Sequence, residues 1–344
     1  MKVILHIGTE KTGTTSIQRT LAYERDILAA GGILYPKLFG SENHMEIAVA
    51  AMSNAGADEL KMIELSRQDC DHPEYRRRLK DQLHSEIAEG DYHTLIISNE
   101  HCHSRLLSDE ALIRLVDLLS GAVPVSDIEV VVYLRRQDRL AVSLNSTRIK
   151  LGGNGPLFPG GNSERMPDYF CFDRLLDRYA RVFGQGKLTT RLFERDRLHD
   201  GNVVIDFYQV TGLGCPKFIM EELNTSLSAT QGLFLERFNQ TFPMVWQDKI
   251  NPDRGPIHWV IRNACSGPPF RPCRTDAQQF YGRFSGSNAY VRDTYLGHLD
   301  RPTLFDEDFG EYPFSGEASE LTPDQLFEFV TAIWRHKGHG AQGN

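Results

Sequence analysis

Residues 1–15, MKVILHIGTEKTGTT, carry a short apolar run straight into a turn of glycine, threonine and one lysine. Val3, Ile4, Leu5 and Ile7 are the β-branched and apolar residues of a strand buried on both faces in a parallel sheet. Gly8 and Gly13 bracket the turn, where they permit positive φ and close approach of a ligand to the backbone. Residues 16–25 read as the following helix, whose free N-terminal N–H groups face an anion. The stretch therefore predicts a phosphate cradle. It departs from the nucleoside-triphosphate loop G-x-x-x-x-G-K-[ST] in one respect. The spacing from Gly8 to Gly13 is kept, but Thr14 follows the second glycine, and the lysine, Lys11, lies inside the loop.

Working outward, three further apolar runs read as buried strands: 94–98 (TLIIS), 128–134 (IEVVVYL) and 187–193 (KLTTRLF). Helical patterns fall at about 73–89, 109–120, 138–151 and 167–183. Strands alternating with helices of this length imply βαβ units, a parallel sheet and right-handed crossovers, with functional residues gathered at the carboxyl ends of the strands. Beyond residue 213 the strand signal fades, and helical segments at about 229–241, 277–284 and 322–337 dominate. The expectation is an α/β fold in a single domain over 1–344, with an α/β cofactor-binding core (1–212) and a mainly helical C-terminal cap (213–344). Residues 152–167, GGNGPLFPGGNSERMP, read as a long loop beside a binding site or as a solvated insertion.

The chain has 344 residues, 40% of them hydrophobic and 24% charged, as in ordinary globular proteins. A formal net charge of −8 argues against a nucleic-acid partner or an anionic membrane surface, so an anionic ligand needs basic residues placed one by one. The six cysteines show no C-x-x-C pair and no metal-ligand spacing, which reads as scattered thiols in a reducing compartment. The first apolar run is too short for a signal peptide, and no later stretch approaches the roughly 18 apolar residues of a membrane span. A cytoplasmic protein without a membrane span is expected.

A second anchor follows the run 128–134. The segment RRQDRLAVS places Arg135 at the strand's carboxyl end and Ser143 eight positions later, one to two turns into the next helix. Arg135 supplies a fork able to grip a phosphate bidentately, and Ser143 a hydroxyl donor.

Together the loop 10–15 (EKTGTT) and the segment 135–143 resemble the paired signatures of sulfotransferases that use 3′-phosphoadenosine-5′-phosphosulfate. In that family a P-K-[ST]-G-T-T loop holds the 5′-phosphosulfate and an R-x-P-x-x-x-x-x-S segment holds the 3′-phosphate. Glu10 stands here in place of the loop's proline and Gln137 in place of the second; both changes concern backbone stiffness. The resemblance covers the two motifs and, in order of elements, roughly the first 210 residues. The tract 287–295 resembles a segment of bacterial members, and no G-x-x-G-x-W-K-like motif is present.

The resemblance implies a three-layer, P-loop-type core and transfer of sulfonate to a hydroxyl or amine of a small-molecule or glycan acceptor, without a bound metal. It implies that Lys11 neutralises charge on the bridging oxygen, that Thr12, Gly13, Thr14 and Thr15 hold the 5′-phosphate, and that Arg135 and Ser143 hold the 3′-phosphate. The acceptor's proton needs a base, and 95–103 (LIISNEHCH) brings candidates to a strand end. Glu100 is the first choice, because family members acting on glycans use a core glutamate; His101 competes, because the cytosolic branch uses a histidine at a comparable strand end. Glu100 could instead pair with Arg105. Arg148, Lys150, Arg283 and Arg292 read either as reaching the donor or acceptor or as solvated charges, and Trp246, Trp259, Phe242 and Tyr281 as an acceptor pocket or as core. Two other readings stay open: a nucleotide or small-molecule kinase with an aberrant loop, and a binding protein of the same fold without transfer activity.

Overall fold

The quoted apolar run forms the middle strand of a sheet in the computed structural model, which describes residues 1–120, 127–159, 169–220, 226–246, 249–251, 254–316 and 320–340. In chain order the elements are β1 (Lys2–His6), α1 (Thr14–Tyr23), α2 (Arg25–Ala30), β2 (Ile33–Leu34), α3 (Met45–Ala51), α4 (Glu59–Gln68), α5 (His72–Ala88), β3 (Thr94–Ser98), α6 (His101–Arg105), α7 (Asp109–Leu119), β4 (Ile128–Leu134) and α8 (Gln137–Lys150). There follow α9 (Phe172–Phe183), β5 (Leu188–Leu192), α10 (Val203–Thr211), α11 (Ala229–Thr241), β6 (Val245–Trp246), β7 (Lys249–Ile250), α12 (Arg254–Asn263), α13 (Arg274–Gly282), α14 (Ser285–Tyr295) and α15 (Pro323–Gly340). The chain divides into two compact units: residues 1–135, 164–222 and 286–305 form the first, and 136–163, 223–285 and 306–344 the second.

The first unit is of α/β type. Its five strands run in the order β2-β3-β1-β4-β5, and every pairing is parallel. Val3 lies opposite Leu95 and Ile128, and His6 opposite Ser98 and Val131, so the carboxyl ends of the three central strands finish together. Both faces of β1 are buried. Ile4 packs with Ile96, Val131 and Tyr133 against Ile17 and Leu21 of α1 and Val203 and Phe207 of α10. Val3 and Leu5 are fully buried on the opposite face, where α9 packs against β4 and β5. Each such side chain stabilises the fold by about 1.5–3 kcal/mol, which is why the strand reads as an unbroken apolar run.

The expected helix at 16–25 occupies Thr14–Tyr23 and then breaks. Glu24 is buried at the break, accepting from the Tyr208 hydroxyl (2.9 Å) and from the N–H groups of Lys217 (2.6 Å) and Phe218 (2.9 Å), and α2 restarts at Arg25. β2, with two residues, carries no readable period. The expected helix at 167–183 is α9 within the described residues, and the part of the loop from 160 to 167 lies outside them.

The second unit is mainly helical, with the short antiparallel pair β6–β7. α11 begins with a capping box, Ser228 and Gln231 each accepting the other's backbone N–H, and Leu235, Ile149, Ile261 and Phe329 form a separate apolar core. Arg136 is the most buried cation among its described residues, 1% exposed. The guanidinium grips Asp138 through two bonds (2.8 and 2.9 Å), donates to the carbonyls of Asp306 (2.6 Å) and Asp308 (2.7 Å), and lies 4.1 Å from the Phe309 ring centroid.

Candidate phosphate loop and the carboxyl end of the sheet

The pairing of β1 with β4 extends past the strand into the loop. Ile7 N–H donates to Val131 O (3.0 Å), Tyr133 N–H to Gly8 O (2.7 Å), and Thr9 N–H to Tyr133 O (2.9 Å). Tyr133 is fixed in turn by its hydroxyl, which donates to the buried Asp206 carboxylate (2.8 Å) that Arg191 and His199 also hold. Beyond Thr9 the backbone leaves the sheet through two left-handed residues, Lys11 (φ 63) and Gly13 (φ 75). The Thr12 hydroxyl closes the turn on Thr9 O (2.6 Å).

Both glycines are required by close packing as well as by φ. A Cβ on Gly13 would lie 2.6 Å from Val203 Cγ1, and one on Gly8 (φ 92) 3.0 Å from Glu100 Cβ. Gly13 is the N-cap of α1 and no side chain caps that end; the first bond of the helix is Ile17 N–H to Gly13 O (3.2 Å). The N–H groups of Thr14 and Thr15 precede that bond, so the helix presents them at its positive end.

Arg135, the first residue after β4, reaches this loop. Its Nη1 donates to Lys11 O (2.7 Å), and the guanidinium lies 5.6 Å from the Phe193 ring centroid. Lys11, Thr12, Gly13, Thr14, Thr15 and Arg135 are thus gathered at the carboxyl edge of β1 and β4 in the first unit. Ser143 is the seventh residue of α8, in the second unit.

The two candidate bases stand at the end of β3. Asn99 Oδ1 accepts the His101 N–H (2.8 Å), which starts α6. Glu100 accepts from the Gln18 amide of α1 (2.7 Å), while Arg105 pairs with Asp58 (3.2 Å). His101 Nδ1 is buried, with Glu10 Oε1 3.8 Å away.

Glu10, which the sequence marks only as a replacement for proline and not as a site residue, is the centre of a half-buried cluster. The Tyr169 hydroxyl donates to its Oε2 (2.7 Å), and the fully buried His103 packs against the Tyr169 ring in a tilted arrangement, centroids 4.5 Å apart, with Nε2 3.1 Å from Tyr169 O. Burial alone pushes the Glu10 carboxyl up, but His101, Tyr169, His103 and Ser104 around it prevail and hold it at about 2. Burial lowers His103 to about 4 and His6, whose Nδ1 meets Ser98 Oγ at 2.8 Å, to about 3. Both imidazoles are neutral at neutral pH. The one sequence signal for Glu10 is a charge standing where the resembled pattern has proline; Tyr169, 159 residues away, gives none.

The other cations are engaged elsewhere. Arg148 binds the side chain of Asn145 and the carbonyls of Gly155 and Pro156, closing the described part of the loop that begins at Gly152. Arg283 donates to Pro159 O (3.1 Å), and Arg292 pairs with Asp293 (2.6 Å). Trp259 is 61% exposed and Phe242 47%, whereas Tyr281 is buried with its hydroxyl on Glu307; the Trp246 side chain lies outside what is described. Among the described residues no group of three or more His, Cys, Asp and Glu side chains is arranged to hold a metal ion, and no helix is long and apolar enough to cross a membrane.

No protein-family profile matches the chain. Among curated proteins, an uncharacterized protein of Archaeoglobus fulgidus is 28% identical over 124 residues, 35% of this chain and 33% of that protein. The matched region thus spans about a third of that relative's length. Among solved structures, the chain is similar to the crystal structure of a sulfotransferase from Alicyclobacillus acidocaldarius, with a TM-score of 0.45 and 14% identity over 87% of this chain and 96% of that one.

Proposed function

We propose that the chain is a sulfotransferase that moves a sulfonate group from 3′-phosphoadenosine-5′-phosphosulfate to a hydroxyl or amine of a small-molecule or glycan acceptor. The observation that carries the reading is the bond from Arg135 Nη1 to Lys11 O (2.7 Å), which ties the segment after β4 to the glycine loop. Lys11 and Arg135, 124 residues apart in sequence, thereby lie at one basic edge, which supports a donor that carries phosphates.

The residues present fit such a donor. The turn is closed to any Cβ at Gly13, the end of α1 has no side-chain cap, and a cation sits inside the loop. Lys11 faces the charge that develops on the oxygen leaving sulfur; Thr12, Gly13, Thr14 and Thr15 offer N–H groups and hydroxyls to the 5′-phosphate. Arg135, and by the sequence pattern Ser143, take the 3′-phosphate. The acceptor's proton passes to a side chain at the end of β3, where Glu100 and His101 adjoin the loop. A sulfonate group carries less charge than a phosphoryl group, so cations and N–H donors of this number suffice without a divalent metal. All six cysteines are free thiols, which supports a cytoplasmic setting.

Isothermal titration with adenosine 3′,5′-bisphosphate, against ATP with Mg²⁺, tests the reading. Binding of the bisphosphate is expected, and preference for ATP refutes it. Labelled sulfonate transfer across a panel of glycans, lipids and phenols then identifies the acceptor.

A further inference from the structure

Three features at the end of β3 converge on His101. Its Nδ1 is fully covered and without a hydrogen-bond partner, while a fifth of the side chain remains exposed. The polar group facing that covered nitrogen is the Glu10 carboxylate, at 3.8 Å. Glu10 is held in place from its other oxygen by the Tyr169 hydroxyl (2.7 Å), and Tyr169 is braced by the buried ring of His103. Glu100, by comparison, has its carboxylate bonded to the Gln18 amide (2.7 Å), and its own Cα and Cβ form the wall against which Gly8 packs.

We infer that Glu10 is a positioning residue that keeps a ring proton of His101 on Nδ1, leaving Nε2 as the base that accepts the proton of the substrate's hydroxyl or amine. At 3.8 Å the two groups are not hydrogen-bonded, but a carboxylate is acceptor-only and its negative charge favours hydrogen on the covered ring nitrogen that faces it. The inference chooses His101 over Glu100 and rests on the sulfotransfer reading for its chemistry, although the tautomer itself does not. In the transfer step His101 Nε2 takes the acceptor's proton while the acceptor atom forms its bond to sulfur. The bond from sulfur to the 5′-phosphate oxygen breaks, that oxygen keeps the electron pair beside Lys11, and nothing is oxidised or reduced.

The glutamate occupies the place that proline takes in the resembled loop pattern, and proline has neither a charge nor an N–H to offer there. The loop that binds the donor would thus also orient the base that activates the acceptor.

Side-chain ¹⁵N spectra of histidine-labelled protein test this in the free enzyme, with His101→Gln assigning the signal. The wild type is expected to show His101 protonated at Nδ1 and unprotonated at Nε2. Glu10→Gln is expected to move the tautomer toward Nε2–H and to lower kcat by about 10²-fold, with the dissociation constant for adenosine 3′,5′-bisphosphate changed less than about threefold. Tyr169→Phe, which keeps the ring under His103 and removes only the bond to Glu10, is expected to shift the tautomer in the same direction and serves if Glu10→Gln does not fold. An Nε2–H tautomer in the wild type overturns the inference, as does an unchanged tautomer in whichever variant folds. Failure of the bisphosphate to bind overturns the sulfotransfer reading, and the tautomer result then still decides the role of Glu10.

Discussion

Gly13 offers a test of the loop in which two separate costs can be resolved. Gly13→Ala places a side chain at φ 75, ψ 18, for which an L-residue costs about 1–2 kcal/mol. The same Cβ falls 2.6 Å from Val203 Cγ1, a contact that forces α10 or the loop to move and costs about 1–3 kcal/mol. The single variant should therefore lose about 2–5 kcal/mol. Val203→Ala alone removes two buried methyl groups, a loss of about 2 kcal/mol. In the double variant the close contact disappears: the next neighbours of the new Cβ are Phe193 Cε2 at 3.4 Å and Val203 Cβ at 3.6 Å, both ordinary separations. The backbone cost remains. Urea unfolding of the four proteins, with the slope checked for constancy, should give a double variant about 1–3 kcal/mol more stable than the sum of the singles predicts. Amide exchange at Ile17, whose N–H closes on Gly13 O, should follow the same order. Additivity within about 0.5 kcal/mol would falsify the packing argument and leave φ as the only reason for glycine here.

Lys11→Ala should lower transfer to any acceptor by about 10²–10³-fold with unfolding unchanged, since Arg135 holds the backbone carbonyl of Lys11 and not its ammonium; a fully active variant removes Lys11 from the chemistry. The adjacent arginines should separate cleanly. Arg135→Met is expected to weaken adenosine 3′,5′-bisphosphate about 10–100-fold, whereas Arg136→Met, which leaves the fully buried Asp138 without its cation, should cost about 3–5 kcal/mol of stability; calorimetry and urea melts giving the opposite pattern would reverse the two assignments. Glu10 sets an acid limb. Its carboxyl is held at about 2 in the folded chain against an ordinary 4.5, so its contribution is complete above about pH 5 and is lost as pH falls from there through 2, up to about 3 kcal/mol in all. Glu10→Gln should flatten that part of the stability profile, and an unchanged slope between pH 5 and pH 3 would contradict the buried cluster.

The sheet was legible where burial on both faces left a continuous apolar signal. IEVVVYL becomes β4 with the same bounds, TLIIS becomes β3, and the run in the first seven residues becomes β1. Helix positions followed as well, but their ends depended on partners far away in sequence. The first helix stops because Glu24 turns to the hydroxyl of Tyr208, 184 residues on, and it starts at Thr14 because Gly13 adopts a left-handed cap. No local pattern encodes the first of these. β2 was invisible for a different reason: two residues cannot display a period of two, and Ile33 and Leu34 owe their strand to β3 beside them.

The candidate site divides along the same line. The sequence pattern singles out Arg135 of the two adjacent arginines by its spacing to Ser143, but what each arginine does lies in tertiary partners: Arg136 is consumed by Asp138 and two carbonyls, and Arg135 reaches Lys11. Glu10 was read as a loss of stiffness, although its neighbours turn it into a fixed negative charge. The unusual place of the lysine has a packing cause. Thr14, the position a triphosphate loop gives to lysine, is only 5% exposed at the start of α1. A lysine there would have to bury its ammonium or push α1 off the sheet, at a cost of several kcal/mol. Lys11, still partly exposed at φ 63 in the turn, keeps its cation at the loop without that penalty. The departure from the triphosphate pattern is therefore tied to how closely α1 packs on the sheet, so the lysine cannot be moved along the loop without rebuilding the helix that follows it.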